Sequence, residues 1–313
     1  MLELVEPHTA GDPMSQRKWL NCRLVDIQAR LEAQGHRISQ PVISRLLKKH
    51  DYCLRVNVQE QESQQHPDRT HQFEYIQEQR QHHQTTHQPR LSVDTKKKEL
   101  VGNFKNAGQI WCQQPEAVNI HDFPSEAVGR AVPYGIYDPQ HNRGSVYVGQ
   151  SADTPAFAVD NIVRWCQTER LHYFPQATHL LIEADAGGSN SCRSRVWKRD
   201  LQEKVADAFG LIITVCHYPT GASKWNPIEH RLFSEISKTW AGCPLRTFDE
   251  VLHYLGDTKT QTGLTVQAHL VTEIYATGVK VSDAEMDALN IEFHQVCPQW
   301  NYTIYPRSTP KPS

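Results

Sequence analysis

The sequence predicts an α/β fold: one mixed β-sheet covered by helices and preceded by a small all-α segment. Three observations support this fold class. From about residue 91 onward, short strands come first, and further strands then alternate with helices. Residues 1–57 show a helical repeat of apolar positions, and residues 58–90 are rich in Gln and His. We therefore expect a helical domain at 1–57, a connector at 58–90 and a sheet domain at 91–313.

The amino-terminal segment is predicted to contain two helices joined by a tight turn. Gly35 ends the first apolar repeat, Ser39 suits the cap of a second helix, and Pro41 suits its first turn. The residues expected to face inward are Leu20, Leu24, Ile27 and Leu31, followed by Val42, Ile43, Leu46 and Leu47.

The outer side of the second helix carries polar and basic residues. Two helices around a glycine-containing turn, with such an outer face, are typical of a helix-turn-helix that contacts DNA. We expect Gln40, Ser44, Arg45 and Lys48 to make those contacts. A helical hairpin that only packs explains the pattern equally well.

The connector is predicted to hold one short helix. Phe73, Tyr75 and Ile76 are its only residues able to anchor a helix. Its histidines are expected to be solvated, because a polar linker gives them no common site. Metal binding by these histidines is the less favoured alternative.

The sheet domain shows the clearest periodicity. Residues 138–144 form a turn that joins two of the strands as a hairpin, and Gly210 ends the second of the helices. The predicted strands are 91–95, 134–137, 145–148, 178–185 and 211–215, and the predicted helices are 155–167, 193–209 and one beginning after Asn226.

Bulk composition excludes several classes of protein. The chain has 313 residues and a formal net charge of −2, so any nucleic-acid binding must rest on local patches. No apolar run approaches the ~18 residues of a membrane span, and the first residues do not form a signal peptide. The eight cysteines include no CxxC pair, which argues against a zinc ribbon and fits a reducing cytoplasm.

Three carboxylates stand out in this domain. Asp94 and Asp185 each end a predicted strand, where side chains of such sheets commonly line a site. Glu229 follows the cap residue Asn226 and Pro227, and it falls inside the apolar stripe of its helix. A carboxylate aimed inward needs a partner, which is either backbone or a metal ion. A turn-closing role for Asp185 alone is the competing interpretation.

Hard oxygen ligands from separate elements suit Mg²⁺, and two such ions support phosphodiester displacement. The phosphate-loop and dinucleotide-binding motifs are both absent from the sequence. Lys96, Lys97 and Lys98 follow Asp94 closely and are expected either to steer a polyanion to it or to be solvated.

Three blocks around these acids resemble the catalytic blocks of a DDE-type insertion-sequence transposase of the ISAzo type. They are SVDTKKKE at 92–99, EADAGGSN at 183–190 and HYPTGASKWNPIEHR at 217–231. Residues 66–69 and 72–76 also look like that family, and the resemblance runs from about residue 11 to residue 302. Related transposases usually start further upstream, so both a full-length and an N-terminally shortened copy remain open interpretations.

The resemblance implies a ribonuclease-H-like core that binds two Mg²⁺ ions, for which Mn²⁺ can substitute. It matches Asp94, Asp185 and Glu229 to the three metal-binding catalytic acids, which are 91 residues (94 to 185) and 44 residues (185 to 229) apart. Asn226 matches a polar position that caps the helix or touches DNA, and capping is favoured. The implied partners are double-stranded DNA and further copies of the chain on that DNA, in a prokaryotic cytoplasm.

Two other functions remain as alternatives to DNA cleavage and strand transfer at terminal inverted repeats. One is a catalytically inactive, truncated remnant that only binds DNA. The other is a ribonuclease-H-like nuclease of host origin, which would prefer junctions or RNA–DNA hybrids.

Overall fold

The computed structural model describes residues 9–11, 18–20, 22–53 and 66–308. The chain divides into two compact units, residues 1–62 and 63–313, which are described separately below. The junction predicted at residue 57 lies outside the described residues.

The first unit contains the two predicted helices, α1 (Leu24–Ala33) and α2 (Gln40–Lys49). Gly35 has a φ of +85°, which lets the chain turn between them. The helices pack through four buried apolar residues: Ile27, Leu31, Ile43 and Leu47.

Leu20 was expected in the first helix, and this expectation is wrong. Leu20 ends a short strand, β2 (Lys18–Leu20), which pairs antiparallel with β1 (Thr9–Gly11). The helix begins only at Leu24, because the Asp26 carboxylate accepts a hydrogen bond from the backbone N–H of Arg23. The unit is therefore a helical hairpin with an added strand pair.

The second unit is built on a nine-stranded mixed sheet. Its spatial order is β10-β11-β8-β7-β3-β5-β6-β9, and β4 pairs with β5 beside this path. The strands are β3 (Arg90–Thr95), β4 (Glu99–Val101), β5 (Gly129–Asp138), β6 (Arg143–Gly149), β7 (His179–Ala184), β8 (Ile212–His217), β9 (Thr265–Val271), β10 (Ile291–Phe293) and β11 (Asn301–Ile304).

Strand β3 lies at the centre of this sheet. It runs antiparallel to β5 and parallel to β7, and β7 runs parallel to β8. Strands β5 and β6 form the predicted hairpin. The carboxyl ends of β3, β6, β7 and β8 consequently meet at one edge of the sheet, which is where an α/β sheet usually carries its site.

Helices cover both faces of the sheet. They are α3 (Arg69–Thr85), α4 (Pro155–Trp165), α5 (Arg195–Asp200), α6 (Ser234–Thr239), α7 (Phe248–Gly256) and α8 (Asp283–Asp287). Helices α4 and α5 continue into π-helical turns, Cys166–Arg170 and Leu201–Ala206, and a third π-helical turn, Glu229–Phe233, precedes α6.

The two faces have separate cores. Leu91, Val93 and Ile182 pack against α4 and α5 on one face. Ile228, Leu232 and residues of α7 pack on the opposite face. The alternation of β3 therefore sends Ser92 and Asp94 toward the face that carries Glu229.

Helix α3 differs from the expected short connector helix. It has 17 residues, and Ile76 is buried against β7 and β8. Gln72 is buried too, and its amide donates hydrogen bonds to the carbonyl of His217 and to Asn301, both at 2.8 Å. The buried face of α3 is partly polar, so the composition of the segment did not reveal the length or the burial of this helix. His83 in this helix is also buried, contrary to the expectation of solvated histidines.

No helix within the described ranges is long and apolar enough to cross a membrane. All eight cysteines are free thiols, in agreement with the absence of a predicted disulfide framework.

Candidate active site

The first two acids are brought together by parallel strand pairing. The register of β3 and β7 pairs Val93 with Ala184. The next residue of each chain segment is an aspartate, so Asp94 and Asp185 leave adjacent strands side by side. The strand ends predicted from the sequence thus lie at the expected edge.

Glu229 reaches the same place from a helix that lies very close to the sheet. Gly135 pairs with Asp94 across β3 and β5. A Cβ atom at Gly135 would lie 2.6 Å from Cε1 of Phe233 and 2.8 Å from Cδ1 of Ile228. Only glycine leaves room for this approach, which brings Glu229 near enough to Asp94 for its charge to contribute to the raised pKa of Asp94.

The expected capping role of the Asn226 side chain is wrong. Asn226 stands at the helix start, and its backbone carbonyl accepts from the N–H of Glu229 at 3.1 Å. Its side-chain amide instead donates to the carbonyl of Val93 at 3.2 Å. The hydroxyl of Ser92 caps the helix, accepting from the N–H of Ile228 at 3.0 Å.

Burial makes these three carboxylates hard to ionise, and neighbouring carboxylates add repulsion at Asp94 and Asp185. Burial, followed by the charge of Asp185, raises the pKa of Asp94 to about 8. Burial also raises the pKa of Asp185 to about 6, against hydrogen bonds from Gly187 and Asn190. Burial raises the pKa of Glu229 as well. A site with these shifts favours a neighbouring cation.

Asp185 is held by groups around its loop. The His217 ring donates from Nδ1 to the backbone carbonyl of Asp185 at 2.8 Å. Asn190, which bonds the Asp185 carboxylate, accepts in turn from the hydroxyl of Tyr134 at 2.9 Å. These contacts fix where the carboxylate points.

A fourth carboxylate, Asp153, was missed by the sequence analysis. It follows β6, and its charge raises the pKa of both Asp94 and Asp185. Thr95 donates to Asp153 at 3.1 Å, and Lys98 lies 3.2 Å from its other oxygen. The available signal was that Asp153 follows β6, which runs parallel to β3. The relative direction of these two strands could not be deduced from one sequence.

The three lysines after Asp94 are placed differently from one another. Lys97 and Lys98 are exposed. Lys96 is only 8% exposed, lies over the Trp240 ring at 4.7 Å and approaches Glu99 at 3.6 Å. Its charge lowers the pKa of Glu229, so Lys96 acts on the acids from within the protein.

A cleft of about 410 Å³ opens over the strand ends, lined by Asp94, Thr95, Lys96, Lys97, Lys98, Asp153, Asp185, Gly187, Gly188 and Ser189. Glu229 borders Asp94 and is not among these lining residues. Carboxylates and exposed lysines line the cleft together. This combination suits a polyanion that reacts at a metal ion.

The donors suit a hard divalent cation. Oxygen Oδ1 of Asp185 is buried and has no hydrogen-bond partner. Within residues 22–53 and 66–308, no three His, Cys, Asp or Glu side chains form a closed group that could hold a metal by themselves. Mg²⁺ needs no such cage, because it keeps several waters and binds through one or two carboxylates.

The predicted DNA-contacting residues of α2 lie in the first unit. Gln40, Arg45 and Lys48 are exposed, and Ser44 is half-buried. The second helix therefore presents the polar face that the sequence predicted.

Comparison with known proteins gives a family. The family model described as the Rhodopirellula transposase DDE domain matches residues 1–306. This match confirms the resemblance to the ISAzo-type transposases. No curated protein matches the chain significantly.

Solved structures with partial likeness are Mos1 transposase complexes. The paired-end complex with left transposon end is 13% identical, covers 78% of this chain and 73% of that chain, and has a TM-score of 0.45. The Mos1 mariner paired end complex with Mg is 13% identical, covers 79% and 73%, and has a TM-score of 0.46. Likeness at this level supports no residue assignment.

Proposed function

The chain belongs to the family of the Rhodopirellula transposase DDE domain, and from this premise we propose that it cleaves and transfers DNA strands at the terminal inverted repeats of an insertion sequence. Asp94, Asp185 and Glu229 are the catalytic acids of this proposal. The observation that carries it is the position of three carboxylates with raised pKa values at one sheet edge, where Asp94 is buried and Asp185 and Glu229 are half-buried.

Asp94, Asp185 and Glu229 would hold two Mg²⁺ ions, with Mn²⁺ as a substitute. When bound, such a pair stabilises both the attacking and the leaving oxygen in phosphodiester displacement. The protein's part is to present ionised oxygens in fixed directions. Thr95 supports this by donating its backbone N–H to Oδ1 of Asp94 at 2.7 Å. For Asp185, Asn190 bonds the carboxylate and His217 holds the backbone carbonyl.

Double-stranded DNA is the proposed partner, and a homo-oligomer on DNA would bring two ends together. Lys97 and Lys98 at the cleft are placed to neutralise backbone phosphates. Lys96 is buried, so we assign it a supporting role beside Glu229. Gln40, Ser44, Arg45 and Lys48 are the proposed contacts of α2.

A cleavage assay tests the proposal. The substrate is a supercoiled plasmid that carries the gene together with its own genomic flanks. We expect nicking in Mg²⁺ or Mn²⁺, no nicking in EDTA, and none with Asp94→Asn. Equal nicking by Asp94→Asn and the wild type would refute the assignment of the acids.

Two outcomes would favour the alternatives. Tight binding to the flanks by a folded protein that never cleaves them would indicate an inactive DNA-binding remnant. Preferential cleavage of junctions or RNA–DNA hybrids would indicate a host nuclease.

A further inference from the structure

The helical segment that begins after Asn226 and contains Glu229 is called the Glu229 helix here. Its start is hydrogen-bonded to β3, the strand that carries Asp94. Ser92 lies two residues before Asp94 and is 1% exposed. Its hydroxyl accepts from the N–H of Ile228 at 3.0 Å and donates to Oδ1 of Asn226. The amide of Asn226 completes the link by donating to the carbonyl of Val93.

This arrangement differs from an ordinary helix cap. A cap is normally supplied by the side chain at the helix's own first position, which accepts from an N–H two or three residues later. Asn226 has that position, but its side chain bonds to β3. The cap comes from the strand, so the helix start cannot move along the sheet without breaking a buried hydrogen bond.

The geometry connects two acids through one hydroxyl. Asp94 lies two residues after Ser92, and Glu229 lies one residue after Ile228. Gly135 removes the side chain that would hold the helix away from the sheet at this point. The distance between the two carboxylates is consequently set by the contacts of Ser92 and by the packing around Gly135.

We propose that Ser92 and Asn226 form a positioning pair that holds Glu229 at the distance from Asp94 required to bind the catalytic metal ions. The pair is buried and does not line the cleft, so it acts only through the acids. The inference rests on the proposed function, and it adds residues that serve that site without touching DNA.

The test uses direct binding of Mn²⁺ to the full-length protein, measured by the loss of the free-ion electron paramagnetic resonance signal. Thermal unfolding and plasmid nicking are measured on the same samples. The key variant is Ser92→Ala. Thr247→Ala is the matched control, because Thr247 caps α7 by accepting from the N–H of Glu250 at 3.1 Å.

We expect Ser92→Ala to weaken Mn²⁺ binding by about 10- to 100-fold, as supporting contacts to metal ligands commonly do. Thr247→Ala should lower the melting temperature but bind Mn²⁺ within twofold of the wild type. Ser92→Thr keeps a hydroxyl and should restore binding. Ser92→Cys keeps the size of the side chain with a weak acceptor, so it provides a folded test if the alanine variant does not fold.

The inference is overturned if Ser92→Ala or Ser92→Cys binds Mn²⁺ as the wild type does. It is also overturned if the threonine variant fails to restore binding while remaining folded. A wild type that neither binds Mn²⁺ nor nicks the plasmid would remove the proposed function together with this inference. If the wild type binds Mn²⁺ and nicks the plasmid while Glu229→Gln does neither, the proposed function is supported. The Ser92 variants then test the positioning pair alone.

Discussion

Two groups of acids lie next to each other near the carboxyl end of β7, and their surroundings are opposite. Glu183 is fully buried, bonded by Arg80 at 2.9 Å and by the Tyr218 hydroxyl at 2.7 Å, with Arg90 at 3.5 Å. Two residues later, Asp185 faces other carboxylates, and one of its oxygens has no partner. We call these groups the Glu183 cluster and the acidic cluster, the latter comprising Asp94, Asp153 and Asp185, which line the cleft, and Glu229, which borders Asp94.

We propose that this difference separates structural acids from functional ones. A buried carboxylate with two guanidinium partners and a hydroxyl is satisfied within the protein, and it joins α3 to the sheet. Burial, followed by the charges of neighbouring carboxylates, raises the pKa of Asp94 and of Asp185, and such an arrangement weakens the folded state. Such an arrangement is retained where a ligand from outside supplies the missing positive charge.

The largest expected effect separates activity from stability at Asp185. Asp185→Asn should reduce plasmid nicking by at least about a thousandfold, because losing one catalytic group commonly costs that much. Its melting temperature in EDTA should equal or exceed that of the wild type, because a charge that is costly to bury has been removed. A marked drop in melting temperature would place Asp185 with the structural acids.

The Glu183 cluster should show the reverse behaviour. Glu183→Ala leaves the half-buried Arg80 without its fully buried partner, and breaking a buried pair costs about 3–5 kcal/mol. The free energy of unfolding from urea titration should fall by this amount, while Mn²⁺ binding per folded molecule stays near that of the wild type. Loss of Mn²⁺ binding by the folded variant would contradict the division into two groups.

Helix α3, which carries Arg80, should also make stability depend on pH through His83. Burial lowers the pKa of His83 to about 4. Below about pH 6.5 the unfolded chain takes up a proton that the folded chain refuses, so stability falls as the pH drops from about 6.5 toward 4. The loss from this residue is on the order of 3 kcal/mol.

Urea titrations at pH 7 and pH 4.5 measure this effect. His83→Leu should flatten the pH dependence in that window, whereas His71→Leu, at an exposed position of the same helix, should leave it unchanged. An identical slope in the His83 variant and the wild type would argue against a buried neutral imidazole.

A smaller effect is expected at Gly135, where the sheet meets the Glu229 helix. The added methyl of Gly135→Ala overlaps Phe233 and Ile228, and overpacking of this kind costs about 1–3 kcal/mol. Gly149→Ala overlaps Phe157 at 2.8 Å and provides a comparison on the opposite face. If the two variants lose the same stability, plasmid nicking should fall more in Gly135→Ala than in Gly149→Ala.

The smallest effect concerns the lysines beside the cleft. Lys97→Ala should weaken binding to the flanking DNA a few-fold and reduce the slope of log affinity against log salt by about 1. Lys238→Ala removes an exposed lysine that pairs with Glu235 at 2.7 Å and should change neither value. Filter binding at several salt concentrations measures both. An unchanged slope in the Lys97 variant would exclude a phosphate contact.

Much of the sheet could be predicted because its strands are apolar runs ended by acids and glycines. The β5–β6 hairpin, strands β3, β7 and β8, and the helix ended by Gly210 follow from such local signals. The role of α3 could not be predicted, because the side of it that faces the sheet includes the buried Gln72 and the half-buried Arg80, whose partners lie far away in the sequence. Asp153 was missed for a related reason, since its relevance depends on β6 lying parallel to β3.

The Asn226 side chain shows a different limit. Its position before Pro227 correctly indicated the helix start, since local backbone preferences decide that. The partner of its side chain depends on how closely the helix approaches β3, which in turn depends on the glycine at position 135. No rule based on neighbouring residues contains that information.

The central place of β3 has a consequence for how the protein is made. Its two neighbours, β5 and β7, are joined to it only by closing loops of tens of residues, and such pairings form late and slowly. While Glu229 and its helix are still inside the ribosome, the emerged part of the chain contains at most two of the three proposed catalytic acids. The proposed catalytic site would therefore be completed late in the folding of each molecule, when Glu229 docks beside Asp94.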